Sequence, residues 1–175
     1  MAIQTAKGVE GLVRTTLFSH GTMEVRDLAR SRRFYEEFLG LECVRHHPSA
    51  LMVRKNQYFA VVAIQVGDKV HPLHVLNHWG VDVASREEVD RAHTLAQEHK
   101  DTYGIRRIMP VTDQHGAYSF YLEDLDGNWW EIQHVPAGFH DVKFAAGDIA
   151  APDREAGRRE VEEIAKGAGQ ARPAG

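Results

Sequence analysis

SFYLEDLDGNWWEIQHV, residues 119–135, is the stretch whose reading decides the fold. Two short apolar runs flank Asp124-Leu125-Asp126-Gly127-Asn128, a cluster of turn residues, and the pattern predicts a β-hairpin. Alternation along the second strand sets Trp129, Glu131 and Gln133 on one face and Trp130, Ile132 and His134 on the other. A carboxylate in mid-strand among tryptophans has two explanations. Either the strand is an edge with its glutamate in water, or the carboxylate is paired, protonated or metal-bound, because an isolated buried charge is costly. Partners for Glu131 must then come from elsewhere in the chain.

Upstream of the hairpin, one order of elements occurs twice. Residues 12–26 hold an apolar, β-rich run that includes FSHGTMEV. Asp27 suits the N-cap of a helix whose Leu28, Tyr35, Phe38 and Leu39 share a face, and Gly40 suits its C′ stop. Strand-like runs follow at 41–47, 51–54 and 58–66. The pattern restarts with an alternating run over 74–83. Ser85 caps a second helix, with Glu88 placed to complete a capping box. Val89, Ala92, Leu95 and Ala96 form its apolar stripe, and Gly104 ends the segment. Runs at 105–111, 118–123 and 129–134 are three more strands. The predicted fold is α+β, two βαβββ units forming a half-open mixed β-barrel around a metal cleft, with the units at about 12–70 and 71–144. Residues 1–11 read as a flexible arm. The tail, 145–175, is expected to be partly helical, over 153–166 with a thin stripe of Val161 and Ile164, and disordered at its end.

Composition narrows the class. The chain has 175 residues, 43% hydrophobic and 26% charged, which suits one folded domain with a core. A net charge of −4 excludes a general nucleic-acid footprint. The single cysteine, Cys43, excludes an intramolecular disulfide and reads as a buried thiol. No apolar run has the length of a membrane span, and MAIQTAKGVE lacks the apolar core of a signal peptide, so a cytoplasmic location is expected. The eleven histidines are scattered, not gathered in a tract.

Two of them stand at equivalent places. His20 precedes the cap Asp27 by seven positions, and His78 precedes the cap Ser85 by seven. Each alone is more often an ordinary core or rim residue. With Glu131 they make two imidazoles and a carboxylate, a facial triad that leaves adjacent positions open on an octahedral ion and suits non-haem Fe(II). Laying NQYFAVV (56–62) on GNWWEIQ (127–133) sets Ala60 opposite Glu131, so the first unit offers no matching carboxylate.

SHGTMEVRDLARSRRFYEEFLGLE, LNHWGVDVASREEVDRA and YSFYLEDLDGNWWEIQ, in this order and spacing, resemble the vicinal-oxygen-chelate superfamily of glyoxalases, fosfomycin-inactivating transferases, bleomycin-binding proteins and extradiol dioxygenases. The resemblance spans roughly residues 12–135. It implies ligands on the first strand of each unit and on the last strand, where His20, His78 and Glu131 fall. Glyoxalase-type enzymes of the family use a fourth protein ligand, at a place that falls on Ala60 in this chain. The fosfomycin branch shares the three-ligand pattern, including Thr22 after His20, but VTDQHGAYSF and IQHVPAGFHDVKF contain no arginine for a phosphonate.

The expectation is therefore an extradiol-type dioxygenase that opens a catechol-like aromatic substrate with dioxygen and Fe(II), or Mn(II) in its place. His115 is the expected acid/base, histidine having a suitable pKa, although a loop histidine in solvent reads equally well. Tyr121 is the expected hydrogen-bond partner of a substrate oxygen. Trp79, Trp129 and Thr22 are expected to line the pocket. The other readings are a metal-dependent lyase, isomerase or thiol transferase, and a non-catalytic drug-binding resistance protein. A homodimer is expected, and neither nucleic acid nor membrane as partner.

Overall fold

The computed structural model describes residues 12–147 together with Glu162 and Ile164. The arm 1–11 and most of the expected tail helix lie outside the described residues. The chain divides after Gly67 into two units. Among the described residues no helix is long and apolar enough to cross a membrane.

The first unit contains β1 (His20–Val25), α1 (Leu28–Arg33), β2 (Glu42–His47), β3 (Ala50–Arg54) and β4 (Ala60–Gln65). Its sheet has the order β1-β4-β3-β2, with β1 parallel to β4 and the other pairs antiparallel. Asp27 caps α1 as the sequence suggests, its Oδ1 accepting from the Arg30 N–H at 2.8 Å. The helix then widens into a π turn over Phe34–Phe38, where the Leu39 N–H reaches the Phe34 carbonyl at 3.1 Å. This turn corrects the expected apolar face. Phe34, absent from the predicted stripe, is fully buried beside Tyr35, while Phe38 and Leu39 are half-buried. Gly40 takes φ +64°, the left-handed conformation a C′ residue needs. Cys43 is buried, and burial pushes its thiol up to about 11.

The second unit contains β5 (His78–Asp82), α2 (Arg86–Glu98), α3 (Lys100–Tyr103), β6 (Arg107–Ile108), β7 (Thr112–Gln114), β8 (Ala117–Glu123), β9 (Trp129–His134) and α4 (Phe139–Ala146). Its main order is β5-β9-β8-β6, with β5 parallel to β9. The topology repeats that of the first unit. The expected strand over 74–83 begins later, at His78, because Asn77 N–H bonds the His74 carbonyl and closes a turn. The expected strand over 105–111 is the short β6, and β7 forms a separate hairpin with β8. Ser85 caps α2 by accepting from the Glu88 N–H at 3.3 Å, whereas the Glu88 carboxylate pairs with Arg91 at 3.1 Å. The buried Val89 and Ala96 of α2 face the sheet, and His93 meets Phe120 edge to face at 5.0 Å.

Between β8 and β9 the expected turn is organised by a buried carboxylate. Asp124 Oδ1 accepts from the backbone N–H groups of Asp126, Gly127 and Asn128 at 2.9, 3.0 and 3.0 Å. Its Oδ2 accepts from Trp130 Nε1 at 3.0 Å. Gly127 has φ +95°, and a Cβ there would stand 3.0 Å from Pro72, so both conformation and space require glycine.

Candidate metal centre

Parallel pairing of β5 with β9 sets His78 against Trp129 and Gly80 against Glu131, so His78 and Glu131 project from one sheet face. Their side chains meet: His78 Nε2 lies 3.2 Å from Glu131 Oε2. The other imidazole nitrogen, Nδ1, is 2.7 Å from the Val75 carbonyl. A carbonyl only accepts, so Nδ1 carries a proton and Nε2 is the nitrogen turned toward the carboxylate. Two lone-pair groups at that distance require a proton or a cation between them.

The remaining glutamate oxygen is held in place. Ser119 Oγ donates to Glu131 Oε1 at 2.8 Å, and the Tyr121 hydroxyl also hydrogen-bonds the carboxylate. Tyr121 stands directly across the hairpin from Glu131, and its ring meets His78 edge to face at 4.9 Å. Burial pushes the Glu131 carboxyl up, but the bonds from His78, Ser119 and Tyr121 outweigh it and leave the group below its ordinary value. The hydrogen bond that the His78 ring gives to Glu131 raises His78, against burial. Burial, with Glu131 beside it, raises the Tyr121 phenol, which stays a hydrogen-bond donor. The donor set, one imidazole nitrogen with its partner nitrogen anchored and one carboxylate with a satisfied second oxygen, fits a borderline divalent ion such as Fe(II), Mn(II) or Zn(II). Among the described residues of the second unit, no third His, Cys, Asp or Glu completes such a group.

The other predicted residues fall in several places. His20 opens β1 opposite Ala60, is exposed, and has its Nδ1 2.9 Å from Ser19 Oγ. Thr22 is exposed on the same strand face, two residues on. Trp129 shares the Glu131 face but is 2% exposed, packed with Val75, Leu73, Met109, Tyr121 and Ile164. Trp79 pairs with Trp130 and points to the opposite face from His78, toward the α2 side. His115 is not brought to the pair. It sits exposed at the tip of the two-residue turn joining β7 and β8, with φ +55°. Ala117, where β8 starts, is four residues from Tyr121, about 13 Å along the strand.

The pairing registers also correct the internal alignment. Since His20 pairs with Ala60 and His78 with Trp129, Ala60 corresponds to Trp129, and the place of Glu131 in the first unit is Val62. Ser119 and Tyr121 correspond to Ala50 and Met52. No carboxylate stands at the fourth place in either alignment, and Gln65 instead accepts from the Leu28 N–H at 3.2 Å.

Three contributors come from the structure alone: Ser119, Val75 and Asp124. Ser119 and Tyr121 share the Glu131 face by strand alternation, which was a usable signal. The Val75 carbonyl was not legible, because backbone geometry chooses it.

Residues 17–132 match the family described as the Glyoxalase/Bleomycin resistance protein/Dioxygenase superfamily. No curated protein matches the chain. Solved structures do. A possible glyoxalase from Bacillus cereus is 26% identical, with a TM-score of 0.55 over 67% of this chain and 98% of that one. A fosfomycin resistance protein, FosX, from Listeria monocytogenes, complexed with Mn(II) and sulfate, is 17% identical, with a TM-score of 0.56 over 74% of this chain and 98% of that one. TnmS3, an antibiotic binding protein from a Streptomyces species, is 17% identical, with a TM-score of 0.55 over 71% and 99%. The last two likenesses concern the fold alone.

Proposed function

Since the chain belongs to the Glyoxalase/Bleomycin resistance protein/Dioxygenase superfamily, we propose that it is a metal-dependent enzyme with His78 and Glu131 as two protein ligands and His20 as the third. The observation that carries this reading is the 3.2 Å approach of His78 Nε2 to Glu131 Oε2, with the other nitrogen tied to Val75. A half-buried carboxylate facing an imidazole nitrogen is stabilised by a cation between them. His20 enters on its repeat position, as the first residue of a strand paired like β5.

The reaction we assign is oxidative opening of a catechol-type ring by dioxygen, with Fe(II) as the ion or Mn(II) in its place. When bound, the ion supplies Lewis acidity and adjacent positions for two substrate oxygens. The chain's own part is orientation. Val75 holds the His78 ring, Ser119 holds Glu131 Oε1, and the Tyr121 phenol remains a donor beside the carboxylate. Tyr121, whose hydroxyl bonds Glu131, is the group we assign to turn that one proton to a substrate oxygen. His115, exposed on its turn, has no role in this assignment.

That same placement supports a second reading, a metal-dependent lyase, isomerase or transferase that needs no acid/base histidine beside Glu131. Val62 at the fourth-ligand place disfavours its glyoxalase form. The deciding experiment reconstitutes the protein anaerobically with Fe(II), adds catechols, and follows oxygen uptake and yellow ring-fission product. Uptake matched to product supports the dioxygenase. Metal binding without uptake moves the assignment to the second reading. Binding of aromatic ligands with no metal requirement would leave a drug-binding protein.

A further inference from the structure

In the first unit, strand alternation sends His20 to one face of the sheet and Met23, Leu51 and Ala63 to the other, where α1 lies against β3 and β4. A cleft of about 230 Å³ opens between the start of this helix and the sheet. Its apolar lining is the buried Leu28 and Leu51 with the exposed Ala29. Arg45 stands opposite Leu51 on β2, and Gln65 lies two residues past Ala63, the partner of Leu51 on β4. Their side chains flank Leu51 and line the same cleft.

The polar groups of the cleft are used in different ways. Asp27 Oδ1 caps α1. Gln65 Oε1 accepts from the Leu28 N–H at 3.2 Å, so the other end of that amide is an NH2 donor. Arg32 Nε donates to Glu36 Oε1 at 2.9 Å, and its Nη2 donates to the Cys43 carbonyl at 3.3 Å. Arg45 is held differently. Its Nη2 donates to the Pro48 carbonyl at 2.8 Å, and among the described residues no carboxylate pairs with it. By contrast Arg54, on the neighbouring strand β3, meets Glu42 at 2.8 Å. A carbonyl fixes a guanidinium in place without neutralising it.

We propose that this cleft is a binding site for a small organic monoanion, a carboxylate on a short apolar chain. The carboxylate sits on Arg45, and the chain lies over Leu51 and Ala29. A guanidinium presents parallel N–H groups that match the two oxygens of a carboxylate. The apolar lining selects an acid with a hydrocarbon body over an inorganic ion. Asp27 on the lining and Glu36 on Arg32 select against a dianion, which meets more repulsion from both. The volume is below the range of about 300–1,000 Å³ that drug-sized ligands occupy, which fits a short acid. None of these residues belongs to the His78–Glu131 pair, so the inference does not rest on the metal-dependent reading.

The test titrates 3-methylbutanoate into the full chain and follows the Arg45 Nε–H and Leu28 N–H signals by NMR. Saturable shifts with a Kd of about 1 mM or below are expected. Arg45→Gln is expected to weaken binding about tenfold or more. Ala29→Phe, which fills the cleft from its exposed side, is expected to abolish it. Both positions are exposed, so neither substitution disturbs the core. Inorganic phosphate and the neutral 3-methylbutanol are each expected to bind at least about tenfold more weakly than the acid. Shifts that stay linear up to about 20 mM acid overturn the site. An affinity unchanged in both variants places the probe elsewhere and overturns it as well. An alcohol that binds as the acid does removes the role of Arg45, and phosphate binding more tightly than the acid overturns the carboxylate assignment.

Discussion

Each unit threads its first strand parallel to its last, and each opens its first strand with a histidine, yet their side chains serve different ends. On the closing strand of the second unit stands Glu131, met by Ser119, Tyr121 and His78. The matching positions in the first unit hold Val62, Ala50 and Met52. The carboxylate and its two hydroxyl partners are thus absent together. The turns differ in the same sense. Asp124 is fully buried and gathers three backbone N–H groups and the Trp130 indole, whereas Asn56, at the start of the first unit's matching turn, is exposed and accepts from Tyr58 and Phe59 at 2.8 and 3.3 Å. One backbone plan supports either a rigid polar cluster or a plain apolar strand. The cluster needs the rigid turn, because Trp130, which Asp124 holds, is the residue before Glu131.

Substitution of the two turn residues should separate the units most. Asp124→Ala leaves several buried donors without a partner and is expected to cost about 3 kcal/mol in urea unfolding, against less than about 1 kcal/mol for Asn56→Ala. Equal costs would remove the distinction drawn between the turns. Burial pushes Asp124 up to about 6, above its ordinary value of 3.8. A carboxyl raised on folding contributes stability that is fully present below the unfolded value and is lost as pH rises through the folded one. The stability of wild type relative to Asp124→Asn is therefore expected to fall between about pH 4 and about pH 6 and to level off above. A flat difference over that window would show that Asp124 does not titrate with folding.

Next in size is the carboxylate itself. Glu131→Gln is expected to weaken Mn(II) binding by on the order of 100-fold or more, while Val62→Gln changes it less than about twofold. In the metal-free protein Glu131→Gln also removes the group that raises His78, so the His78 pKa followed by NMR is expected to fall. A His78 titration unchanged by the substitution would mean the two side chains do not meet in solution.

The smallest effect belongs to the hydroxyl partners. Ser119→Ala or Tyr121→Phe leaves Glu131 with one donor fewer and is expected to weaken Mn(II) binding by about tenfold. If both variants bind as wild type does, the polar cluster around Glu131 is packing and not support for a ligand.

Much of this was legible from residue order. The hairpin around Asp124–Asn128, both helix caps, the glycine stops and the twofold βαβββ plan follow from local rules, since caps, turns and alternation act over a few residues. The pairing of His78 with Glu131 was also within reach, because the repeat and the strand period put both on one face. The misplaced details share a cause. Hydropathy lays Ala60 on Glu131 where the register gives Val62, a shift of two residues that preserves the face and so leaves no trace in the pattern. Trp79 neighbours His78 along the chain, but adjacent strand residues point to opposite faces. His115 looked poised for chemistry by residue type alone, and its turn holds it exposed beyond the end of β8.

The amino-acid sequence by itself determined the elements, their repeat and the family, because those depend on short-range preferences and on the order in which they recur. Only the tertiary structure decided which atoms meet: the Val75 carbonyl that orients His78, the Ser119 hydroxyl on Glu131, the four donors on Asp124, and Ile164 against Trp129. Hydrogen bonds and packing act over a few ångströms between residues that lie far apart along the chain, and strand register, which periodicity leaves free by steps of two, selects them.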